Sequence, residues 1–117
     1  MVNRVSKIQT IVERVRVEFE EKRVPKDLLS CLYTRYNPEI DGNRFVAEAE
    51  KLFPKLNCGL TSVYLQDMLG GNVIQGKYRA HNHTFLLVGN LVVDITADQY
   101  DGSGVYIGEL KFPWTLK

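Results

Sequence analysis

The stretch His81-Asn82-His83-Thr84-Phe85-Leu86-Leu87-Val88-Gly89-Asn90-Leu91-Val92-Val93-Asp94 carries two apolar runs on either side of a Gly-Asn pair. Two such runs separated by two turn-forming residues read as a β-hairpin, although Asn-Gly is the stronger order. A two-residue loop sets Val88 opposite Leu91, Phe85 opposite Asp94 and His83 opposite Thr96. Opposed residues share a sheet face, and so do alternate residues along one strand. His83 and Asp94 are then diagonal neighbours on one face, about 7 Å apart at Cβ and within side-chain reach. A slip of one residue puts them on opposite faces. His81 shares the face but lies further from Asp94 and is expected to fray toward solvent, while Asn82 points away.

Working outward, the strand pattern continues on both sides of the hairpin. Val73 to Tyr78 and Val105 to Leu110 read as further strands, and Leu91 to Thr96 as the hairpin's second arm. Before Gly71 the period is helical. Val5, Ile8, Ile11, Val12, Val15 and Phe19 recur at spacings of three and four between charges, giving an amphipathic helix from Val2 to about Val24 that stops at Pro25. Asp27 to Tyr33 forms a short helix, and Phe45, Val46, Ala49 and Leu52 another, closed by Pro54. Cys58 opens a fourth helix, which ends at Gly70-Gly71. Helices first and antiparallel strands later imply an α+β fold. The expected arrangement is N-terminal helices, with the Cys58 helix packed on a C-terminal antiparallel sheet of about four strands. There is no repeat or linker, so residues 1–117 form one domain.

Composition narrows the function classes. The net charge of +1 gives no electrostatic case for nucleic acid or an anionic membrane. No apolar run approaches transmembrane length. Arg4, Lys7 and Glu13 interrupt the N-terminal apolar residues, unlike a signal peptide's core. Two cysteines, Cys31 and Cys58, are too few for a disulfide scaffold, so the expected compartment is the cytoplasm, or export without a cleaved signal. Oligomeric state is left open.

The chemistry-bearing residues fall in the order Cys58, His83, Asp94. A cysteine at a helix start has its thiolate stabilised by unpaired N–H groups and the positive end of the helix dipole. A histidine in reach holds the proton, and a carboxylate fixes the imidazole's tautomer. Asp94, flanked by Val92, Val93 and Ile95, needs a buried partner, and His83 is the nearest candidate, with His81 as the fallback base. The main-chain N–H of Cys58 suits an oxyanion; the side chains of Asn57 and Gln99 are further candidates, the turn being the favoured role for Gln99. Cys31 reads as a core residue, and Tyr106, Phe112 and Trp114 as core or cleft wall.

Asn57-Cys58-Gly59 opening a helix, His83-Thr84-Phe85 opening a strand and Val93-Asp94-Ile95-Thr96 on the next strand resemble the papain-like superfamily. The likeness is greatest to its transglutaminase-like branch and the related small bacterial cysteine proteases and glutamine deamidases. The resemblance spans about Asn57 to Tyr100 and departs from the pattern at Phe85, where many relatives carry Trp, and at Ile95, where many carry Pro. No glutamine precedes Cys58 at the position where papain draws an oxyanion donor. The resemblance implies a cysteine-dependent amide hydrolase or acyl transferase acting on a protein or peptide, with Cys58, His83 and Asp94 as triad and no cofactor. Protease, deamidase and transamidase chemistry are not separated by the residues. Two other classes remain: a non-catalytic protein-binding module on the same scaffold, and a zinc-binding domain using Cys58, His81, His83 and Asp94, which lacks the usual CxxC or HExxH spacing.

Overall fold

A computed structural model describes residues 4–117; the sequence reading of Val2 as part of the first helix lies outside them. Four helices precede the sheet: α1 (Arg4–Glu20), α2 (Lys26–Tyr36), α3 (Gly42–Leu52) and α4 (Cys58–Leu69). Five strands follow: β1 (Asn72–Tyr78), β2 (His81–Val88), β3 (Leu91–Asp94), β4 (Tyr106–Glu109) and β5 (Trp114–Thr115). A 3-10 turn at Ala97–Tyr100 lies between β3 and β4. The fold is α+β, as the change of period at Gly71 implied.

The sheet order is β4-β3-β2-β1-β5, and each of the four pairings is antiparallel. The central hairpin has the expected register, with Val88 opposite Leu91 and Leu86 opposite Val93. Gly89 has a φ of 62° and Asn90 does not share the positive sign. That suits a II′ turn, in which glycine takes the first central position. The reversed Gly-Asn order is therefore a different turn type and not a weaker form of the Asn-Gly one.

Among the helices, α1 ends at Glu20, short of the expected Val24, and α2 runs on past Tyr33 to Tyr36; three further differences lie in the sheet. β2 begins at His81, which pairs with Tyr78 and stacks its ring on Tyr100 at 4.4 Å. The strand is thus pinned at the end where fraying was expected. β3 stops at Asp94 because that side chain accepts the Thr96 main-chain N–H at 2.9 Å, turning the backbone out of the ladder. The two-residue β5 was not legible at all, since its supports are long-range: pairing with Lys77 and Tyr78 and the Trp114 contacts.

The sheet is buried on both faces. On one face Leu86, Val88 and Val93 pack with Leu60 and Leu65 of α4 and with Ile8, Val12, Val15 and Phe19 of α1. On the other, Phe85, Val92 and Tyr78 pack with Ala97 and Trp114. Alternation along β2 thus assigns Leu86 to the helical core and Phe85 to the second layer, with His83 on the Phe85 side. Gly70 and Gly71, at φ 76° and 89°, turn the chain from α4 into β1.

Arg16 joins α1 to the segment after β3. Its guanidinium donates to both Asp98 carboxylate oxygens at 2.9 and 2.8 Å and to the Ile95 carbonyl at 2.7 Å. It also binds Glu20 and stands over the Phe53 ring. Bidentate, part-buried pairing of this kind is among the stronger polar contacts. Arg16→Met is expected to lower unfolding stability by on the order of 2 kcal/mol, from loss of charged hydrogen bonds. Chemical denaturation checks this: a wild-type midpoint in the variant would mean that the sheet alone holds the loop.

Candidate active site

Asp94 is the most heavily bonded side chain of the site. One carboxylate oxygen accepts His83 Nε2–H at 2.6 Å and the Trp114 indole N–H at 2.8 Å. The other accepts the Thr96 main-chain N–H at 2.9 Å and the Thr96 hydroxyl at 3.3 Å. His83 and Asp94 are 2% and 3% exposed, so little water competes for either. The diagonal placement derived from the hairpin brings the two side chains together.

With Nε2 taken by Asp94, Nδ1 is the ring nitrogen left for Cys58. It is buried and accepts no other hydrogen bond among the described residues, which leaves it to the sulfur. Burial alone would push the His83 imidazole down, but the hydrogen bond and charge of Asp94, with those of Cys58, raise it to about 9. Burial likewise pushes the Cys58 thiol up, and this is outweighed by His83 and by the main chain and hydroxyl of Thr84, which hold it below its ordinary value. Both shifts favour a thiolate–imidazolium pair at neutral pH.

The helix start is fixed independently. Asn57 is 1% exposed, and its amide donates to the carbonyls of Ala49 and Lys55 at 2.9 and 2.8 Å. Ala49 lies in the last turn of α3, whose carbonyls have no intrahelical partner. Asn57 therefore closes α3 and anchors the residue before Cys58. Both amide hydrogens are engaged, which corrects the expectation of an oxyanion donor in this side chain. The Cys58 main-chain N–H, first in α4, has no preceding turn to accept it.

Gln99 lies in the turn, its main-chain N–H donating to the Thr96 carbonyl at 3.2 Å, but the expected bond from its side-chain amide nitrogen to the turn's backbone is not made. Its side-chain nitrogen is buried and makes no hydrogen bond among the described residues. Trp114 is buried, but its part is larger than packing, because its indole holds Asp94. The signal was weak in sequence: a lone tryptophan twenty residues from the carboxylate. Tyr106 stacks on Trp114 at 3.8 Å, and Phe112 is 70% exposed, so only as a groove wall does the expectation for it stand. Cys31 is exposed with Arg35 beside it, which corrects the reading of a core residue. The apolar residues of α2 that are buried are Leu29, Leu32 and Tyr33.

Aromatic rings lie beside the base and the start of α4. Tyr100 stands edge-on to His83 at 5.4 Å, and Tyr33 of α2 lies against Gly59. Burial raises both phenols above their ordinary values, aided at Tyr100 by the negative charge of Cys58 and at Tyr33 by those of Tyr36 and then Cys58. Among the described residues no group of three or more His, Cys, Asp or Glu is placed to hold a metal ion. Nor is any described helix long and apolar enough to cross a membrane.

A family model described as YunG protein matches residues 48–111, more than half of the chain. The chain belongs to the YunG protein family. No curated protein and no solved structure matches it. The YunG-family segment contains Asn57, Cys58, His83 and Asp94 and spans α4 through β4; Trp114 and the first two helices lie outside it.

Cys58 is expected to alkylate faster than Cys31 with iodoacetamide at about pH 6, well under the ~8.5 of a free thiol. Since Cys31 is the more exposed, the contrast tests thiolate stabilisation and not access. His83→Ala should abolish the preference, read by mass-spectrometric assignment of the adduct. Equal labelling of both cysteines in the folded wild type would remove Cys58 as nucleophile. Trp114→Phe should cost about 1–3 kcal/mol of stability by withdrawing a donor from a buried carboxylate; an unchanged denaturation midpoint would mean that the bond contributes nothing net.

Proposed function

We propose that the protein is a cysteine-dependent amide hydrolase or acyl transferase. The observation that carries this reading is the buried 2.6 Å His83–Asp94 bond, made through the ring nitrogen that leaves Nδ1 for Cys58. In this reading the Cys58 thiolate attacks the carbonyl carbon of a peptide or side-chain amide. A carbon–sulfur bond forms and the carbonyl electron pair moves onto oxygen. Collapse of that oxyanion breaks the carbon–nitrogen bond, and the departing nitrogen takes the proton held by His83. Water or a second amine then releases the acyl group, with His83 accepting its proton. Asp94 keeps the ring oriented and stabilises its charged form. No step calls for a cofactor. Peptide cleavage, glutamine deamidation and transamidation share these steps and differ in the acceptor.

The base assigned here is His83. His81 stacks on Tyr100 at the rim, and its substitution by Ala is expected to weaken substrate binding at most. Cys58→Ala should abolish turnover and keep the fold. Asp94→Asn should lower kcat by on the order of 10⁴-fold, as in a triad forced into the wrong tautomer. It should also destabilise the protein, because each carboxylate oxygen is bound by donors and an amide NH2 placed at either end meets an N–H. Assays against a peptide library and a glutamine-bearing protein, following ammonia and new amine termini, test the series. Undiminished turnover in Cys58→Ala would sink the reading.

The pH profile has a defined upper limb. The imidazolium that protonates the leaving nitrogen is present below about 9 in the free enzyme and lost as pH rises through that value, so kcat/KM should fall there. A rate that keeps climbing past pH 10 would rule out His83 as the acid.

A further inference from the structure

The oxyanion site has one donor by position, the Cys58 main-chain N–H, and Asn57 is engaged elsewhere. A second donor is legible from the residues that neighbour Thr84 and the start of α4. Thr84, through its main chain and its hydroxyl, contacts the Cys58 sulfur. Directly across the ladder from Thr84 stands Gln75 of β1, on the same face. Opposed Cβ atoms are roughly 5 Å apart, so the Gln75 amide lies within a side chain's length of the thiol. Gln75 Nε2 donates to the Tyr36 hydroxyl at 2.8 Å. Tyr36 in turn packs on the first turn of α4: a Cβ at Gly59 would lie 4.0 Å from its ring. The circuit Cys58, Thr84, Gln75, Tyr36, Gly59 closes on itself.

Gln75 lies on β1, across β2 from the strand that carries Asp94. Its amide nitrogen carries two hydrogens, one of which goes to Tyr36. The other has no acceptor among the described residues. Gln75 is exposed, so its amide is not spent on the interior.

We propose that Gln75 is the second oxyanion donor, its amide joining the Cys58 N–H on the oxygen that turns negative as the carbon–sulfur bond forms, with Tyr36 as the residue that positions it. This rests on the cysteine-hydrolase reading and adds to it a catalytic residue from the strand after the nucleophile helix. Tyr36 touches no reacting atom and acts only through Gln75.

Two reagents separate oxyanion stabilisation from thiolate formation. Iodoacetamide alkylates sulfur at a saturated carbon and develops no oxyanion, whereas p-nitrophenyl acetate acylates it through a tetrahedral one. In a Cys31→Ser background, Gln75→Ala should alkylate at the parental rate and acylate on the order of 100-fold more slowly, the usual effect of removing one such donor. Tyr36→Phe should show the same pattern with a smaller loss. Unchanged acylation in Gln75→Ala overturns the proposal, as does an equal fall with both reagents, which would reflect the thiolate alone. A loss confined to Gln99→Ala, tested in parallel, would move the role to that residue. If the parent protein reacts with neither reagent at Cys58, the hydrolase reading itself fails. Gln75→Met provides a second, uncharged variant of similar length without a donor, and it too should alkylate normally and acylate poorly.

Discussion

A carboxylate buried in a protein interior is tolerable only when its lone pairs are met by donors. Asp94 meets that condition with partners from three parts of the chain: His83 on the neighbouring strand, Thr96 in its own turn, and Trp114 near the C-terminus. Each donor has a structural consequence. The Thr96 bond ends β3 and starts the turn that carries Asp98 to Arg16 and Tyr100 to the His81 ring. The Trp114 bond draws the C-terminal strand onto β1 and closes the second hydrophobic layer. The His83 bond selects one ring nitrogen and presents the other to the sulfur. The sheet's edge, its second core and the reactive geometry thus share one charged group.

The helical half contributes a complementary constraint. Cys58 is useful only if the first turn of α4 arrives at the start of β2 with its N–H groups open. Asn57 secures this from behind by closing the end of α3, and Leu60 and Leu65 seat the helix on the sheet. Both devices are desolvated and built from short side chains, so the site has little freedom to drift. On the proposed reading, a pre-organised nucleophile and base of this kind reduce the reorganisation needed as charge develops.

Much of this was legible in the sequence, for physical reasons that can be named. The two-residue Gly89-Asn90 turn permits one register, and a register fixes which side chains share a face; His83 and Asp94 follow from it. Helix starts and stops at Cys58 and Gly70 are local signals. What was hidden depends on long-range docking. Trp114 reaches Asp94 only because two residues of β5 pair with β1, a contact with no local periodicity. Asn57 turns inward to a helix end eight residues earlier in the chain, a choice that cap statistics at its own helix do not reveal. Cys31 lies among apolar neighbours in sequence, yet the helix rotates it to solvent. Gln75 becomes visible only once the pairing of β1 with β2 identifies Thr84 as its partner.

The account's central claim is that His83 carries a proton at neutral pH because it lies between the Asp94 carboxylate and the Cys58 thiolate. Nitrogen-15 NMR of the imidazole, titrated in the wild type and in Cys58→Ala, reads this directly. The expected result is an imidazolium in the wild type that persists through pH 8 and titrates near 9, with its pKa lowered in the variant by loss of the thiolate's charge. A neutral His83 ring in the wild type at pH 7, or a titration unaltered by Cys58→Ala, would contradict the account.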